Sequence, residues 1–145
     1  MRSTGVVLFL LTACLARCQS LQTNIVNVDI AGLRNDKGQV VCALYSSADG
    51  FPKDGKKAVA RVDSRISNNR AACEFSDIAQ GTYAVSVFHD EDSNGKLDTN
   101  FMGIPREGVG ASNGAKGHFG PPKFGSAAFY FSGGRLDLKI TITYL

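Results

Sequence analysis

The strongest constraint on the fold is that apolar residues recur at every second position along most of the chain. A two-residue period is typical of a β-strand with one buried face, because successive side chains of a strand point to opposite sides. The pattern is clearest near the C-terminus, where the alternating residues are Leu136, Leu138, Ile140, Ile142 and Tyr144. No long stretch has the 3.6-residue period of an amphipathic helix.

Six further segments bring the expected number of strands to about seven. Clear alternation marks the segments 25–30, 40–45, 71–75 and 83–88, and weaker strands are expected at 57–62 and 127–132. Turn-forming residues separate them, and a short helix is expected at 50–57. The sequence therefore predicts one all-β domain over 21–145, a seven-stranded antiparallel β-sandwich of the immunoglobulin or prealbumin type.

The approach to the strand at 83–88 carries a more specific pattern. Gly81 permits a tight turn, and Tyr83 follows it at the start of the strand. A tyrosine at this place can return its hydroxyl to the turn backbone, which is called a tyrosine corner. The segment resembles those of transthyretin-like and collagen-adhesin B-type sandwiches, so it supports the fold without defining a function.

Residues 1–20 have the pattern of a signal peptide rather than of part of the domain. Arg2 gives a positive start, and the apolar core at 6–11 is too short to span a bilayer. Cleavage sites with small flanking residues lie after Cys18 and after Ser20. The sequence predicts an exported protein that is secreted, periplasmic or associated with the cell envelope.

An alternative processing route remains open at Cys14. The segment Leu11-Thr12-Ala13-Cys14 resembles a bacterial lipobox, in which this cysteine is lipidated and becomes the new N-terminus. Attachment to a membrane is expected only in that case.

The remaining cysteines, Cys42 and Cys73, fall in predicted strands. Disulfides persist in the compartments that exported proteins occupy, so we expect a bridge that closes a loop of about 32 residues. Two buried free thiols are the alternative, and two cysteines so far apart in sequence do not predict a zinc site.

The charge of the chain argues against a nucleic-acid partner. The full sequence carries 16 Lys and Arg and 13 Asp and Glu, a net charge of +3. Without Arg2 and Arg17, 14 basic residues face 13 acidic ones, and no basic cluster stands out. Steering toward a polyanion is therefore not expected, and the domain is predicted to be a monomer.

Residues 90–98 have the order of a calcium loop. Oxygen-bearing side chains stand at relative positions 1, 3, 5 and 9, a glycine stands at 6, and a main-chain carbonyl is expected to serve at 7. These residues are Asp90, Asp92, Asn94, Asp98, Gly95 and Lys96. Calcium takes six to eight hard oxygen ligands, and such a loop supplies several of them from one short segment.

The loop departs from an EF-hand. Its twelfth position is Phe101 instead of a glutamate, and no helices flank it. Glu107, or a carbonyl of the 99–126 segment, is expected to complete the shell. The alternative is an acidic turn that binds no metal.

The 99–126 segment contains seven glycines and three prolines, yet it keeps aromatic residues that a flexible linker lacks. We expect a long ordered Gly-rich loop folded over one end of the sandwich. The residues expected to pin it there are Phe101, Ile104, Phe119 and Phe124.

Catalytic patterns are weak. Ser112 and Ser126 lack a nucleophile elbow, and the histidines are only His89 and His118. We therefore predict no catalytic residue and no enzymatic activity. The alternative is a small hydrolase that uses Asp90, Asp98 and His89.

Longer runs of sequence resemble a known family. The run from Phe88 to Gly108, the segment Phe119-Gly120-Pro121-Pro122-Lys123-Phe124 and the segment Ala127-Ala128-Phe129 are similar to exported, mainly bacterial proteins grouped as domain of unknown function 2141. The resemblance covers most of 24–145. It implies an export signal followed by one β-sandwich, and it brings no known activity.

The sequence thus favours a non-enzymatic binding or structural module whose acidic loop is stabilised by calcium. The expected partner is a carbohydrate or another envelope or matrix protein, by analogy only. Besides the hydrolase, a metal-free structural domain anchored by a lipid on Cys14 remains an alternative.

Overall fold

The computed structural model describes residues 23–145. The expected signal peptide at 1–20, with its lipobox at Cys14, lies outside the described residues. No helix among residues 23–145 has the length and apolar character needed to cross a bilayer.

The described part of the chain contains eight strands and one short α-helix. They are β1 (Ile25–Ala31), β2 (Gln39–Tyr45), β3 (Ala60–Ser64), β4 (Ala71–Ser76), β5 (Gly81–Asp90), β6 (Val109–Ala111), α1 (Phe124–Ala127), β7 (Phe129–Phe131) and β8 (Arg135–Thr141). Short 3-10 turns lie at Gly55–Lys57 and Ser112–Gly114, and the first of these falls in the segment where a short helix was expected.

The strands form two sheets, as a β-sandwich requires. One sheet has the order β4-β1-β8, and the other has the order β3-β2-β5-β6, with β7 paired to the first residues of β5. The all-β sandwich is confirmed, with two differences in detail. There are eight described strands instead of seven, because β6 was not expected, and β1 runs parallel to β8 instead of antiparallel.

The alternating residues of both sheets meet in one core. Val28 of β1, Cys42 of β2, Phe75 of β4 and Val85 of β5 are all fully buried or nearly so. The predicted disulfide is confirmed: Cys42 and Cys73 are bonded across this core, with their Cα atoms 6.5 Å apart. Because β2 and β4 belong to different sheets, the bridge joins the two layers.

The tyrosine corner is also confirmed. The hydroxyl of Tyr83, at the start of β5, donates a hydrogen bond of 2.9 Å to the carbonyl of Ala79 in the preceding turn. This bond fixes the direction in which β5 enters the sheet, and β5 is the strand that leads into the acidic loop.

The expectation that four apolar side chains pin the 99–126 segment holds for only one of them. Phe124 of α1 packs edge-on against Phe51, with 5.8 Å between ring centroids. Phe101 and Phe119 are fully exposed, and Ile104 is also exposed. The turn around Phe101 does not need apolar anchoring, because Asn100 Oδ1 accepts hydrogen bonds from the amides of Met102 and Ile104 and fixes its shape.

Candidate metal centre

The acidic loop begins where β5 ends. Asp90 is the last residue of β5 and lies opposite Gln39 of β2, so its side chain is positioned by the sheet rather than by a loop. It is completely buried. Position 1 of the predicted calcium loop therefore has a rigid support.

The loop wraps around the Asp90 carboxylate. Oδ1 accepts a hydrogen bond of 3.0 Å from the Asn94 amide, and Oδ2 accepts bonds of 2.9 Å from the Gly95 amide and from Gln39 Nε2. Gly95 has a φ of +78°, a conformation that glycine adopts without strain. The glycine at position 6 predicted a sharp turn, and that turn brings the amides of Asn94 and Gly95 to Asp90.

Asn94 connects the other two carboxylates of the loop. Its Nδ2 donates to Asp92 Oδ2 at 2.9 Å and to Asp98 Oδ1 at 3.0 Å. Its Oδ1 accepts from the Lys96 amide at 2.8 Å. The side-chain nitrogen Nδ2 therefore lies between two carboxylates. The side-chain amide of Asn94 has to rotate before its Oδ1 can coordinate a cation there.

Glu107 reaches this loop from nine positions beyond Asp98, just before β6. It is buried, and its Oε1 and Oε2 accept hydrogen bonds from the amides of Glu91 (2.8 Å) and Asp98 (3.1 Å). One ligand oxygen from each of Asp90, Asp92 and Glu107 lies within 4.8 Å of the other two. The sequence named Glu107 as a residue that could complete the shell, and the fold brings it to the loop.

Asp98 is not part of this close triplet. Its main-chain amide donates a hydrogen bond to Glu107 Oε2, and its carboxylate accepts one from the side chain of Asn94. The expected ligand roles of Asn94, Asp98 and the Lys96 carbonyl remain predictions.

The three close carboxyl groups do not have the same acidity. Burial raises the pKa of Asp90, but the hydrogen bonds from Gln39, Gly95 and Asn94 outweigh it and leave that pKa below its ordinary value. Burial raises the pKa of Glu107, with a smaller contribution from the charges of Asp98 and Asp90. Partial desolvation raises the pKa of Asp92, and its side-chain hydrogen bond with Asp90 and the charges of Asp98 and Asp90 add to this increase.

Basic and acidic residues together line the open side of the site. A cleft of about 380 Å³ is lined by Arg34, Lys37, Glu91, Asp92, Asp98, Arg106 and Glu107. Arg34 donates a hydrogen bond of 2.6 Å from Nε to Glu91 Oε1, which lowers the pKa of Glu91, and it lies 4.4 Å from the ring centroid of Tyr144. The carboxylates of the loop thus face solvent through a cleft that carries both signs of charge.

His89 is buried beside the site and has both ring nitrogens occupied. Nε2 lies 2.7 Å from the carbonyl of Lys37, and Nδ1 lies 2.7 Å from the hydroxyl of Tyr144. Since a carbonyl only accepts, Nε2 donates to it, and in the neutral ring Nδ1 accepts from the hydroxyl. The ring thereby ties the β1–β2 turn to the chain after β8.

Sequence reasoning did not identify three residues that shape the site. Gln39 and Tyr144 come from distant parts of the chain, and their role depends on strand pairing. Gly38 has a φ of +67°, and a Cβ there would overlap the carbonyl oxygen of Asp90. The sequence places it in a cluster of turn-forming residues at 35–38, which indicates a turn but not this contact.

Comparison with known proteins identifies one family. The family model described as "Uncharacterized protein conserved in bacteria (DUF2141)" matches residues 28–139. This range includes the acidic loop, Glu107 and most of both sheets. No curated protein and no solved structure matches the chain.

Proposed function

The chain belongs to the DUF2141 family of uncharacterized bacterial proteins, and because this membership assigns no activity, we propose a function from the site itself. The protein is an exported, non-enzymatic binding module whose acidic loop holds calcium. Bound calcium fixes the loop end of the sandwich, where a carbohydrate or another envelope or matrix protein is recognised.

The observation that carries the calcium proposal is the convergence of Asp90, Asp92 and Glu107 to within 4.8 Å. Two of the three are buried, and like charges this close repel one another, so a bound cation would relieve a repulsion that their hydrogen bonds only partly offset. Oxygen is the ligand that calcium prefers, and the amides that hold Asp90 in place already give the loop its curved shape.

The exported location has independent support from the disulfide. Cys42 and Cys73 are bonded across the core, and such bonds are rare in reducing cytosol but persist in extracellular and periplasmic compartments. Calcium-binding modules of such compartments have dissociation constants of about 10⁻⁴ to 10⁻³ M, so we expect an affinity in this range.

A calcium titration followed by amide NMR shifts tests the proposal. We expect saturable shifts that begin at the amides of Asn94, Gly95 and Lys96. Asp92→Ala should abolish them, because it removes one of the three close carboxylates, from an exposed position. Asp29→Ala, an exposed carboxylate on β1, is the matched control and should titrate like the wild type. Shifts that do not saturate, or that persist in Asp92→Ala, would refute the calcium site.

The alternative of a small hydrolase has less support from the geometry. It needs His89 as a base, but this ring is buried and both nitrogens are engaged by Tyr144 and Lys37. Asp98→Asn separates the two functions. A metal site would lose calcium-linked stability, whereas a hydrolase would lose turnover without losing stability.

A further inference from the structure

The outer face of the smaller sheet contains a groove that shares no lining residue with the cleft at the acidic loop. Asp29 of β1 lies between Ala72 of β4 and Lys139 of β8, and all three are exposed. In the next row of the same face, Ala31 lies opposite Thr141. Because Ala31 and Ala72 have no side chain beyond Cβ, the middle of this face is low and forms part of a groove of about 790 Å³.

The β3–β4 turn supplies further side chains to this groove, and its backbone has a fixed shape. Ser67 and Arg70 pair as an isolated antiparallel bridge, with backbone hydrogen bonds of 2.9 and 3.1 Å. Between them, Asn68 and Asn69 have positive φ angles, and their amides donate to the two carboxylate oxygens of Asp36 at 3.0 and 2.6 Å. The turn is therefore held in place before a ligand arrives, which reduces the ordering cost of binding.

Positive charges from separate parts of the chain converge on this groove. Its charged lining residues are Arg65 and Arg70 from the β3–β4 turn, Lys139 from β8, and Asp29 from β1. Among residues 23–145, none of these four side chains takes part in an ion pair. The groove thus has three positive charges against one negative charge, an excess of two that is not neutralised by pairing.

The other acidic side chains on this sheet face are already compensated. Glu74 and Asp137 lie one row farther along the face, opposite Asn27. The guanidinium of Arg135 lies 3.6 Å from the carboxylate of Glu74 and 3.0 Å from that of Asp137. Near the turn, both oxygens of Asp36 accept from turn amides. The excess positive charge of the groove therefore remains available to a ligand.

The chemistry of the lining favours an oxyanion. A guanidinium offers parallel N–H donors that match the oxygens of a phosphate group, and Arg65 and Arg70 bring two guanidinium groups. The hydroxyls of Ser67 and Thr141 are further donors. Among the described residues, none that lines the groove is aromatic, so a nucleic-acid base has no ring to stack against. An excess of two positive charges matches the charge of about −2 on a phosphate monoester.

We propose that this groove binds a dianionic phosphate group through Arg65, Arg70 and Lys139. The phosphate is either the free inorganic ion or a monoester on a larger molecule, because both present the same oxygens and the same charge. The site is separate from the proposed calcium centre and does not depend on it, since the two have no residue in common.

Phosphate titrations followed by amide NMR shifts test this proposal. The purified protein is titrated in chelator with inorganic phosphate at about pH 8, where phosphate is mostly a dianion, and in parallel with sodium chloride at equal ionic strength. We expect saturable shifts at the amides of 65–72 and 139–141 in phosphate and none in chloride. Glucose 6-phosphate, with glucose as its control, is the second probe. Tighter binding of glucose 6-phosphate would assign the site to a phosphate on a larger molecule, and equal or weaker binding would assign it to the free ion.

Variants of opposite charge effect test the location of the site. Arg65→Gln/Arg70→Gln should weaken phosphate binding about tenfold, because it removes two of the three positive charges. Asp29→Asn should strengthen it about twofold, because it removes the one negative charge. Arg135→Gln is the matched control, since it removes a positive charge from the same face outside the groove, and it should bind like the wild type. All these side chains are exposed, so each variant should unfold at the wild-type temperature.

Three results would overturn the proposal. Equal shifts in phosphate and chloride would show only the screening of surface charges. An unchanged phosphate affinity in Arg65→Gln/Arg70→Gln would show that the phosphate binds elsewhere. An equal loss of affinity in Arg135→Gln would show that net charge, and not the groove, attracts phosphate. Because chelator is present throughout, the calcium titration tests the calcium site separately.

Discussion

Two buried carboxyl groups of the site differ in acidity because they have different hydrogen-bond partners. Asp90 accepts from two amides and from the side chain of Gln39, and its pKa is lowered. Glu107 also accepts from two amides, but burial outweighs them, with a smaller contribution from the charges of Asp98 and Asp90, and its pKa is raised. At the scale of single residues, the balance between burial and hydrogen-bond donors therefore decides which carboxyl group holds a proton most readily.

These shifts predict how calcium binding depends on pH. Because the pKa values of Glu107 and Asp92 are raised, protons compete with calcium at a higher pH than at ordinary carboxylates, whose pKa values are about 4. Asp90 stays charged to lower pH. We expect a lower calcium affinity at about pH 5 than at about pH 7, because protons compete at these carboxyl groups above the ordinary carboxyl range, as measured by NMR titration at each pH. An affinity that is the same at both values would contradict the raised pKa values.

The positions of the acidic residues could be predicted, but their neighbours could not. The spacing of Asp90, Asp92 and Asn94 around Gly95 was sufficient to predict a loop that curves around a centre. Gln39 and Tyr144 contact the site only because β2 lies beside β5 and the chain after β8 returns to it. Such contacts depend on strand pairing, which the alternation of residues does not specify.

At the scale of elements, alternation predicted the long strands and missed the shortest one. β6 is the segment Val109-Gly110-Ala111, which has no alternating pattern of its own. It is a strand because it pairs with β5 through Phe88 and with the chain at Thr143. The parallel pairing of β1 with β8 was missed for a related reason, since alternation indicates a buried face and not a strand direction.

The disulfide between β2 and β4 should contribute a large share of the stability. Cys42→Ala/Cys73→Ala removes a bridge between the two sheets whose closed loop has about 32 residues, and the chain-entropy model predicts a loss of about 3–4 kcal/mol. Urea unfolding measures this loss, and the reduced wild type serves as the control. Unfolding at the wild-type urea concentration would show that the bridge contributes nothing.

The 99–126 segment should respond first when calcium is removed. Glu107 links it to the acidic loop through the amides of Glu91 and Asp98, so loss of an ion at Glu107 loosens this connection. We expect trypsin to cut after Arg106, Lys116 or Lys123 faster in chelator than in calcium, with fragments identified by mass spectrometry. Identical cleavage in both solutions would argue against the coupling.

At the scale of the whole molecule, the sandwich serves as a rigid support for one end. β5 runs through the larger sheet and leads directly into the acidic loop. The turn at 99–105 and then Glu107 follow that loop. His89 and the disulfide hold this strand and its neighbours in place from inside the core. The fold class and the family could be predicted from the sequence, whereas the exposure of Phe101 and Phe119 could not, because the sequence does not indicate which aromatic residues have a surface to pack against.

Thermal unfolding with and without calcium tests the central claim most directly. A site with a dissociation constant of about 10⁻⁴ M gains about 2.7 kcal/mol at a 100-fold excess of ligand. That corresponds to a Tm increase of about 5–10 °C for a domain of this size. We predict this increase for the wild type and for Asp29→Ala, and none for Asp92→Ala. A wild-type Tm that is the same in calcium and in chelator would contradict the account, because the acidic loop would then be a turn that holds no ion.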